Sequence, residues 1–259
     1  MAIALITGAS SGIGLELARV FAADGIDVIL SARSEDKLHD LAEEVREKYG
    51  VRAEVIVADL SVPGEAEKVY DRVREMGWDV DYLVNNAGFG VYGFYAETDW
   101  TAEADMLQVN IVALTHLTKL FLPDLIDRGR GRILNVASTA AFQPGPRMAV
   151  YFATKAYVLS LSDAIANELK GTGVSVTALC PGATETGFQR AAGATGSRLF
   201  DMRGLPTGAD VAKYGYRAMQ KGKRVAIHGL MSKILAFTVR LLPRRLVVAT
   251  TRALIARSD

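Results

Sequence analysis

Short aliphatic and β-branched runs alternate with longer stretches of helical periodicity along most of this chain, and no other feature limits its fold so strongly. Ile3–Thr7, Asp27–Leu30, Ala53–Val57, Tyr82–Val84, Arg132–Val136 and Val174–Leu179 read as strands, with a last one at Arg224–Ile227. Helical patterns fill the intervals near 12–24, 35–48, 65–76, 100–127 and 152–170. Strands joined through helices run parallel, and a parallel sheet is covered on both faces, which suits these largely apolar runs. Gly25 and Gly50 stand where the first two helices would end, a position at which the absence of a Cβ relieves a left-handed backbone. The expectation is an α/β fold, a Rossmann-like doubly wound parallel sheet in a single domain. No internal repeat or linker interrupts the chain up to residue 180, so residues 1–228 read as one body and 229–259 as its helical extension.

Composition narrows the function classes. The 259 residues, 50% apolar and 23% charged, can bury a sizeable core and exclude a disordered or fibrous chain. A net charge of +1 makes no global case for nucleic acid. His39, His116 and His228 stand far apart with no partner at ligand spacing, so no metal is expected. The single cysteine, Cys180, fits a reducing cytoplasm. No uncharged apolar run reaches 18 residues, and the apolar start Ala2–Ile6 is too short for a signal peptide and lacks a basic leader. A cytoplasmic protein is the expectation. The charge is unevenly spread, however: residues 228–259 hold six of the 30 basic residues and one of the 29 acidic ones.

The turn from the first strand into the first helix reads Thr7-Gly8-Ala9-Ser10-Ser11-Gly12-Ile13-Gly14. Glycines allow the tight turn and close backbone approach that a pyrophosphate requires, and the free amides and dipole of the helix start favour the anion. The spacing is Gly-x-x-x-Gly-x-Gly rather than the commoner Gly-x-Gly-x-x-Gly. The second strand discriminates between nucleotides, since an acid at its end suits the ribose hydroxyls of NAD and an Arg suits the 2′-phosphate of NADP. Here the strand runs into Ser31-Ala32-Arg33, while Asp27 lies at its far end and Asp36 out in the next helix. Arg33 is therefore expected to clamp the 2′-phosphate with its planar fork of donors, which makes NADP (NADPH) the expected cofactor.

Tyr151 and Lys155 are four apart, on one face of a helix. A tyrosine titrates near pH 10, and a neighbouring ammonium would lower that value and make it a usable acid/base. Ser138 ends the fifth strand, where open α/β sheets bind ligands, and its hydroxyl could donate to the developing oxyanion of a carbonyl under reduction.

Taken together, Gly8 to Gly14, Asp59-Leu60, Asn85-Asn86-Ala87-Gly88, Asn110, Ser138, Tyr151, Lys155 and Pro181-Gly182 resemble the short-chain dehydrogenase/reductase family in order and spacing over nearly the whole chain. The resemblance implies that Tyr151 is the general acid/base, that Lys155 binds the nicotinamide ribose and lowers the tyrosine pKa, and that Ser138 holds the carbonyl oxygen. It implies that Asn110 holds a water linking Lys155 to solvent. It also implies a contact of Asp59 and Leu60 with adenine, of Asn86, Ala87 and Gly88 with the adenosine ribose, and of Pro181, Gly182 and Thr186 with the nicotinamide. Ser10, Ser11 and Ile13 belong to the cofactor turn. The implied activity is NADP-dependent interconversion of a carbonyl compound and an alcohol; the alternative is a non-catalytic NADP-binding sensor on the same fold.

Phe89, Tyr92, Phe94, Tyr95, Phe142 and Phe188 fall on the expected pocket loops and suggest a small, largely apolar substrate, with Arg147 or Arg190 as candidates for a substrate carboxylate. The Gly-, Ala- and Thr-rich stretch at about 183–208 is expected to be a lid. The tail reads as two amphipathic helices around Pro243, one with Ile234, Leu235, Thr238, Leu241 and Leu242 on a face, the other with Leu246, Val247, Thr250, Ala253 and Leu254. Packing on the tail's own domain, a subunit contact within a homodimer or homotetramer, and a peripheral contact with an anionic membrane are its three candidate roles.

Overall fold

The computed structural model of the chain describes residues 2–199 and 204–256. Part of the expected lid and the last three residues, Arg257 among them, lie outside the described residues. Seven parallel strands form one sheet: β1 Ile3–Thr7, β2 Asp27–Ala32, β3 Ala53–Val57, β4 Tyr82–Asn85, β5 Gly131–Val136, β6 Val174–Cys180 and β7 Val225–Ile227. Their order is β3-β2-β1-β4-β5-β6-β7. The chain winds outward from β1 in one direction, then returns to β4 and winds in the other. That reversal opens a crevice beyond the carboxyl ends of β1 and β4.

Successive residues of β1 face opposite sides, so Ala4 and Ile6 join one core and Leu5 joins the other. The first core is closed by α1 (Gly12–Ala23), α2 (Glu35–Tyr49) and α8 (Gly208–Gln220), through Leu17, Phe21, Leu41 and Met219. The second is closed by α3 (Glu65–Glu75) and α5 (Leu114–Asp127), through Val69, Leu117 and Phe121. Gly25 and Gly50 take left-handed backbone where α1 and α2 end, and the amide of Gly50 bonds the Arg46 carbonyl at 2.9 Å. Asp27 is fully buried at the amino end of β2, where Arg52 grips its carboxylate at 2.8 Å. It thus serves the fold at the end of the strand remote from the crevice.

Two elements differ from the sequence reading. The stretch 100–127 is not one helix: α4 (Trp100–Leu107) passes through a π turn (Gln108–Ala113) into α5. The π turn carries Asn110, whose side chain is drawn to the backbone of a neighbouring loop. By length and composition the whole stretch could cross a membrane, yet 44% of its most apolar window is buried within the protein, and α5 uses Leu117, Phe121 and Leu125 as core. The helix expected near 152–170 begins earlier, as α6 (Ala149–Glu168), which places Tyr151 in its first turn.

After a short α7 (Phe188–Ala191), the tail folds as α9 (Leu230–Thr238) and α10 (Arg244–Ile255), broken at Pro243 as the sequence suggests. The faces differ. α10 buries Val247, Thr251 and Ile255, a stripe at every fourth residue, and α9 buries only Ala236. Ile234, Leu235, Leu241, Leu242, Leu246 and Leu254 remain exposed, because the parent domain covers just one narrow side of each helix.

Candidate active site

A cavity of about 790 Å3 occupies the crevice. Every site residue chosen from the sequence lines it except Gly14 and Asn110, which stand directly behind its wall. The glycine turn is shaped by close approach. A Cβ on Gly8, whose φ is +67°, would lie 2.8 Å from the Asn86 amide nitrogen, and one on Gly14 would run into the Gly8 carbonyl. Asn86 donates to the carbonyls of Thr7 (2.9 Å) and Gly8 (3.2 Å), while the Thr7 hydroxyl accepts from the amides of Asn86 and Ala87 at 3.1 Å. Thr7 and Asn86 therefore stitch β1 to the end of β4 and hold the turn open. Gly12, also left-handed, faces the methyl of Thr186 across the cavity.

These residues fit a dinucleotide. No described side chain caps the start of α1, so its free amides point into the cavity as an anion site. The Ser31 hydroxyl, at the end of β2, is buried against the cavity with no partner among the described residues, a donor awaiting a polar ligand. Beside it Arg33, Ser34 and Lys37 line the cavity, whereas the acids of the first turn of α2, Glu35 and Asp36, do not. The sequence reading missed Lys37; its signal was a second cation one helical turn beyond Arg33. Asp59 sits 3.9 Å from Arg33. Burial pushes its carboxyl up, but hydrogen bonds from the Ser61 hydroxyl and amide, helped by Arg33, outweigh that and hold it below its ordinary value.

The chemical groups meet at the ends of β5 and β6. The Ser138 oxygen accepts from the Ala140 amide at 3.0 Å and faces the Pro181 carbonyl at 3.5 Å. Tyr151 and Lys155 rise from α6, both almost wholly buried. Lys155 donates to the Val136 carbonyl at 2.8 Å, with its ammonium 5.8 Å from the centre of the Tyr151 ring. The expected lowering of the tyrosine pKa by Lys155 is corrected by this geometry. Burial pushes Tyr151 up to about 12, and the opposing pull comes from a hydrogen bond with Ser138. The ammonium is itself brought down to about 8 by burial, against a weaker upward influence of Cys180.

Asn110 acts through the wall. It donates to the Phe89 carbonyl (2.9 Å) and the Thr154 hydroxyl (3.0 Å) and accepts from the Phe89 amide (3.2 Å). Both of its amide protons are thereby committed, and the side chain pins the loop after β4 to α6. A Cβ on Gly88 would lie 2.9 Å from its oxygen and 3.4 Å from the Lys155 nitrogen, so the loop, Asn110 and Lys155 are in mutual contact range. Below the site Asn85 donates to Asn135 (2.9 Å) and Thr118 (3.0 Å), and Asn135 donates to Ser162 (2.9 Å). This buried polar chain ties β4, β5, α5 and α6 together, and the strand reading did not anticipate it.

The remaining wall mixes apolar side chains with Thr139, Gln143, Thr184, His228 and Ser232. Phe89, Phe142 and Phe188 line the cavity, while Tyr92, Phe94 and Tyr95 do not. Arg147 and Arg190 are also outside its lining, which corrects their candidacy for a substrate carboxylate. Arg147 instead lies 4.7 Å over the Phe94 ring and donates to the Tyr92 hydroxyl at 3.2 Å. In the stretch expected to be a lid, Ala192, Ala194 and Ser197 are buried, and Phe188 and Leu199 pack against the same core cluster. The tail completes the chamber: Leu230, Met231, Leu235, Thr251, Leu254 and Ile255 line it. The Ile255 carbonyl accepts from Ser197 (2.9 Å) and from Tyr92 (3.2 Å), fastening α10 to the segment after α7 and to the loop after β4.

The short chain dehydrogenase family profile matches residues 2–196. The chain belongs to that family. This short chain dehydrogenase is 38% identical over 185 residues to the very-long-chain 3-oxoacyl-CoA reductase of Anas platyrhynchos, a match spanning 69% of the chain but 58% of the longer duck enzyme. It is 34% identical over 209 residues to the 7beta-hydroxysteroid dehydrogenase of Collinsella aerofaciens, spanning 81% of the chain and 75% of that enzyme. Among solved structures, it resembles a short-chain dehydrogenase from Sphingobium yanoikuyae in complex with NADPH, with a TM-score of 0.83, 32% identity and coverage of 93% and 94% of the two chains. The family and these relatives make the chain an oxidoreductase of the NAD(P)-dependent type.

Proposed function

We propose that this chain reduces an apolar ketone or aldehyde with NADPH and oxidises the matching alcohol in reverse. The observation that carries the reading is the convergence of Ser138, Tyr151 and Lys155 beside a glycine cradle, in one chamber whose far side brings together Phe89, Phe142, Phe188, Leu235 and Leu254. The Sphingobium neighbour supports the choice of NADPH, as do Arg33 and Lys37 at the end of β2. Two relatives are named for an oxoacyl and a hydroxysteroid compound, both oxygen functions on large hydrocarbon frames.

In this reading the amides of the Gly8–Gly14 turn hold the pyrophosphate, Arg33 with Ser34 and Lys37 holds the 2′-phosphate, and Asp59 and Leu60 border the adenine. Asn86, Ala87 and Gly88 flank the adenosine ribose, Lys155 and Tyr151 take the nicotinamide ribose, and Pro181, Gly182 and Thr186 border the nicotinamide. When bound, the reduced nicotinamide supplies the hydride. Ser138 donates to the substrate oxygen and fixes its place. Tyr151 then gives that oxygen its proton, a role suited to a phenol that burial keeps protonated at neutral pH. Ser138 stabilises the phenolate left behind, and Lys155 holds a positive charge on the same wall. Asn110 positions the Phe89 loop over Lys155, with its backbone as the candidate support for a water relay.

A homodimer or homotetramer in the cytoplasm belongs to the same proposal. The neighbouring exposed Val112 and Tyr157 support the first part, and the free thiol of Cys180 the second. The test is a panel of apolar ketones followed by NADPH absorbance, with Tyr151→Phe in parallel. Oxidation that persists undiminished in the variant, on a verified substrate, overturns the mechanism.

A further inference from the structure

The outer side of the tail has no partner in the described structure, and it begins at the mouth of the cavity. Leu230 and Met231 line the chamber and are still 74% and 67% exposed. From them an apolar surface continues through Ile234, Phe237 (62% exposed), Leu241 (71%) and Leu246. Residues 229–256 also carry Lys233, Arg240, Arg244, Arg245 and Arg252 and not one acid. Among the described residues none of these five cations enters an ion pair.

We propose that the outer face of α9, the turn at Pro243 and the start of α10 seat the protein on an anionic lipid bilayer, with the mouth of the chamber turned toward the lipid. Exposed leucines and a phenylalanine beside cations, with no acid between them, match a surface that offers hydrocarbon behind a layer of negative charge. Lysine and arginine stems can lie along the apolar face while their heads reach the phosphates. A second copy of the chain fits this surface poorly, because a two-fold contact would set five cations against five with no acid to answer them. Docking itself does not depend on the reductase reading. Its consequence does: an apolar carbonyl compound dissolved in the bilayer would enter past Leu230 and Met231 without crossing water.

The experiment is flotation of the full chain with vesicles of phosphatidylcholine alone and of phosphatidylcholine with phosphatidylglycerol. Two paired variants, Phe237→Asp with Leu241→Asp and Arg244→Glu with Arg245→Glu, change residues outside the cavity lining. Binding to the anionic vesicles alone is expected, weakened by salt and reduced by about tenfold or more in either pair. NADPH binding in solution, followed by its fluorescence, is expected to stay unchanged in both and shows that the variants are folded. No binding to anionic vesicles, equal binding to neutral ones, or binding indifferent to both pairs overturns the proposal. So does a vesicle-blind protein whose oligomer falls apart in the aspartate pair, which would make the face a contact between copies. Lost docking with ketone reduction intact, or the reverse, tells apart failure of this proposal and failure of the reductase reading.

Discussion

The two halves of the cavity are built on different physical terms. On the β1–β3 side the wall combines a glycine turn and the open end of α1 with polar side chains at the strand ends and the start of α2, Arg33 and Lys37 among them. On the β5–β7 side the wall is assembled from segments far apart in the chain, with Tyr92, Ser197 and Ile255 meeting through hydrogen bonds. At Gly8 and Gly14 the first half has no room for an added atom. The second rests on side-chain packing that can be altered one residue at a time. Tyr151 and Lys155 stand at the seam.

That contrast can be broken at several points. The largest expected effect is at the seam: Tyr151→Phe is expected to lower kcat by about a thousandfold while leaving NADPH affinity within a few-fold, measured by single-turnover kinetics and fluorescence titration. On the polar half, Gly14→Ala forces a Cβ into the Gly8 carbonyl. A loss of about 2–4 kcal/mol in denaturant unfolding and of NADPH binding is expected; unchanged affinity would show that the turn is not rigid. Arg33→Ala is expected to cut the preference for NADPH over NADH by about 10- to 100-fold, the worth of a charge-assisted contact.

Lys155 offers a test by pH. Its pKa falls from 10.5 in the unfolded chain to about 8 in the folded one. Between those values the unfolded chain binds more protons, so this group's contribution makes stability rise with pH, and below about 8 it penalises the folded state in full. Lys155→Met is therefore expected to stabilise the apoprotein at pH 7 by on the order of 2 kcal/mol, a gain that shrinks as pH climbs toward 10, while activity is lost. The smallest effect is on the assembled half. Ser197→Ala removes one buried hydrogen bond to Ile255 and is expected to cost about 1 kcal/mol. It should raise KM for bulky ketones and leave NADPH affinity alone; an equal change in both would mean the halves are coupled.

Legibility followed the same division. The strands, the glycine turn and the meeting of Arg33, Ser138, Tyr151 and Lys155 on one cavity could be read because each depends on local pattern or on position along one strand or helix. Asn110 could be marked by resemblance, but not the π turn that carries it, since apolar spacing does not distinguish α from π. The chain Asn85–Asn135–Ser162 was invisible because β4 and β5 are 50 residues apart at that pair and only strand register brings them together. For the tail, periodicity supplied the helices and the break at Pro243, but not which stripe would be covered.

By itself, then, the sequence determined a parallel α/β sheet and the tight glycine turn after its first strand, because these follow from chain-local sterics and hydrophobic period. Tertiary structure alone decided how deeply Tyr151 and Lys155 are buried and which segments wall the cavity. Burial, not the neighbouring ammonium, dominates the Tyr151 phenol, and burial is a property of everything packed around it. The tail became a wall of the site because Ile255 found Ser197 and Tyr92 across 58 and 163 residues of chain, a meeting that no local pattern encodes.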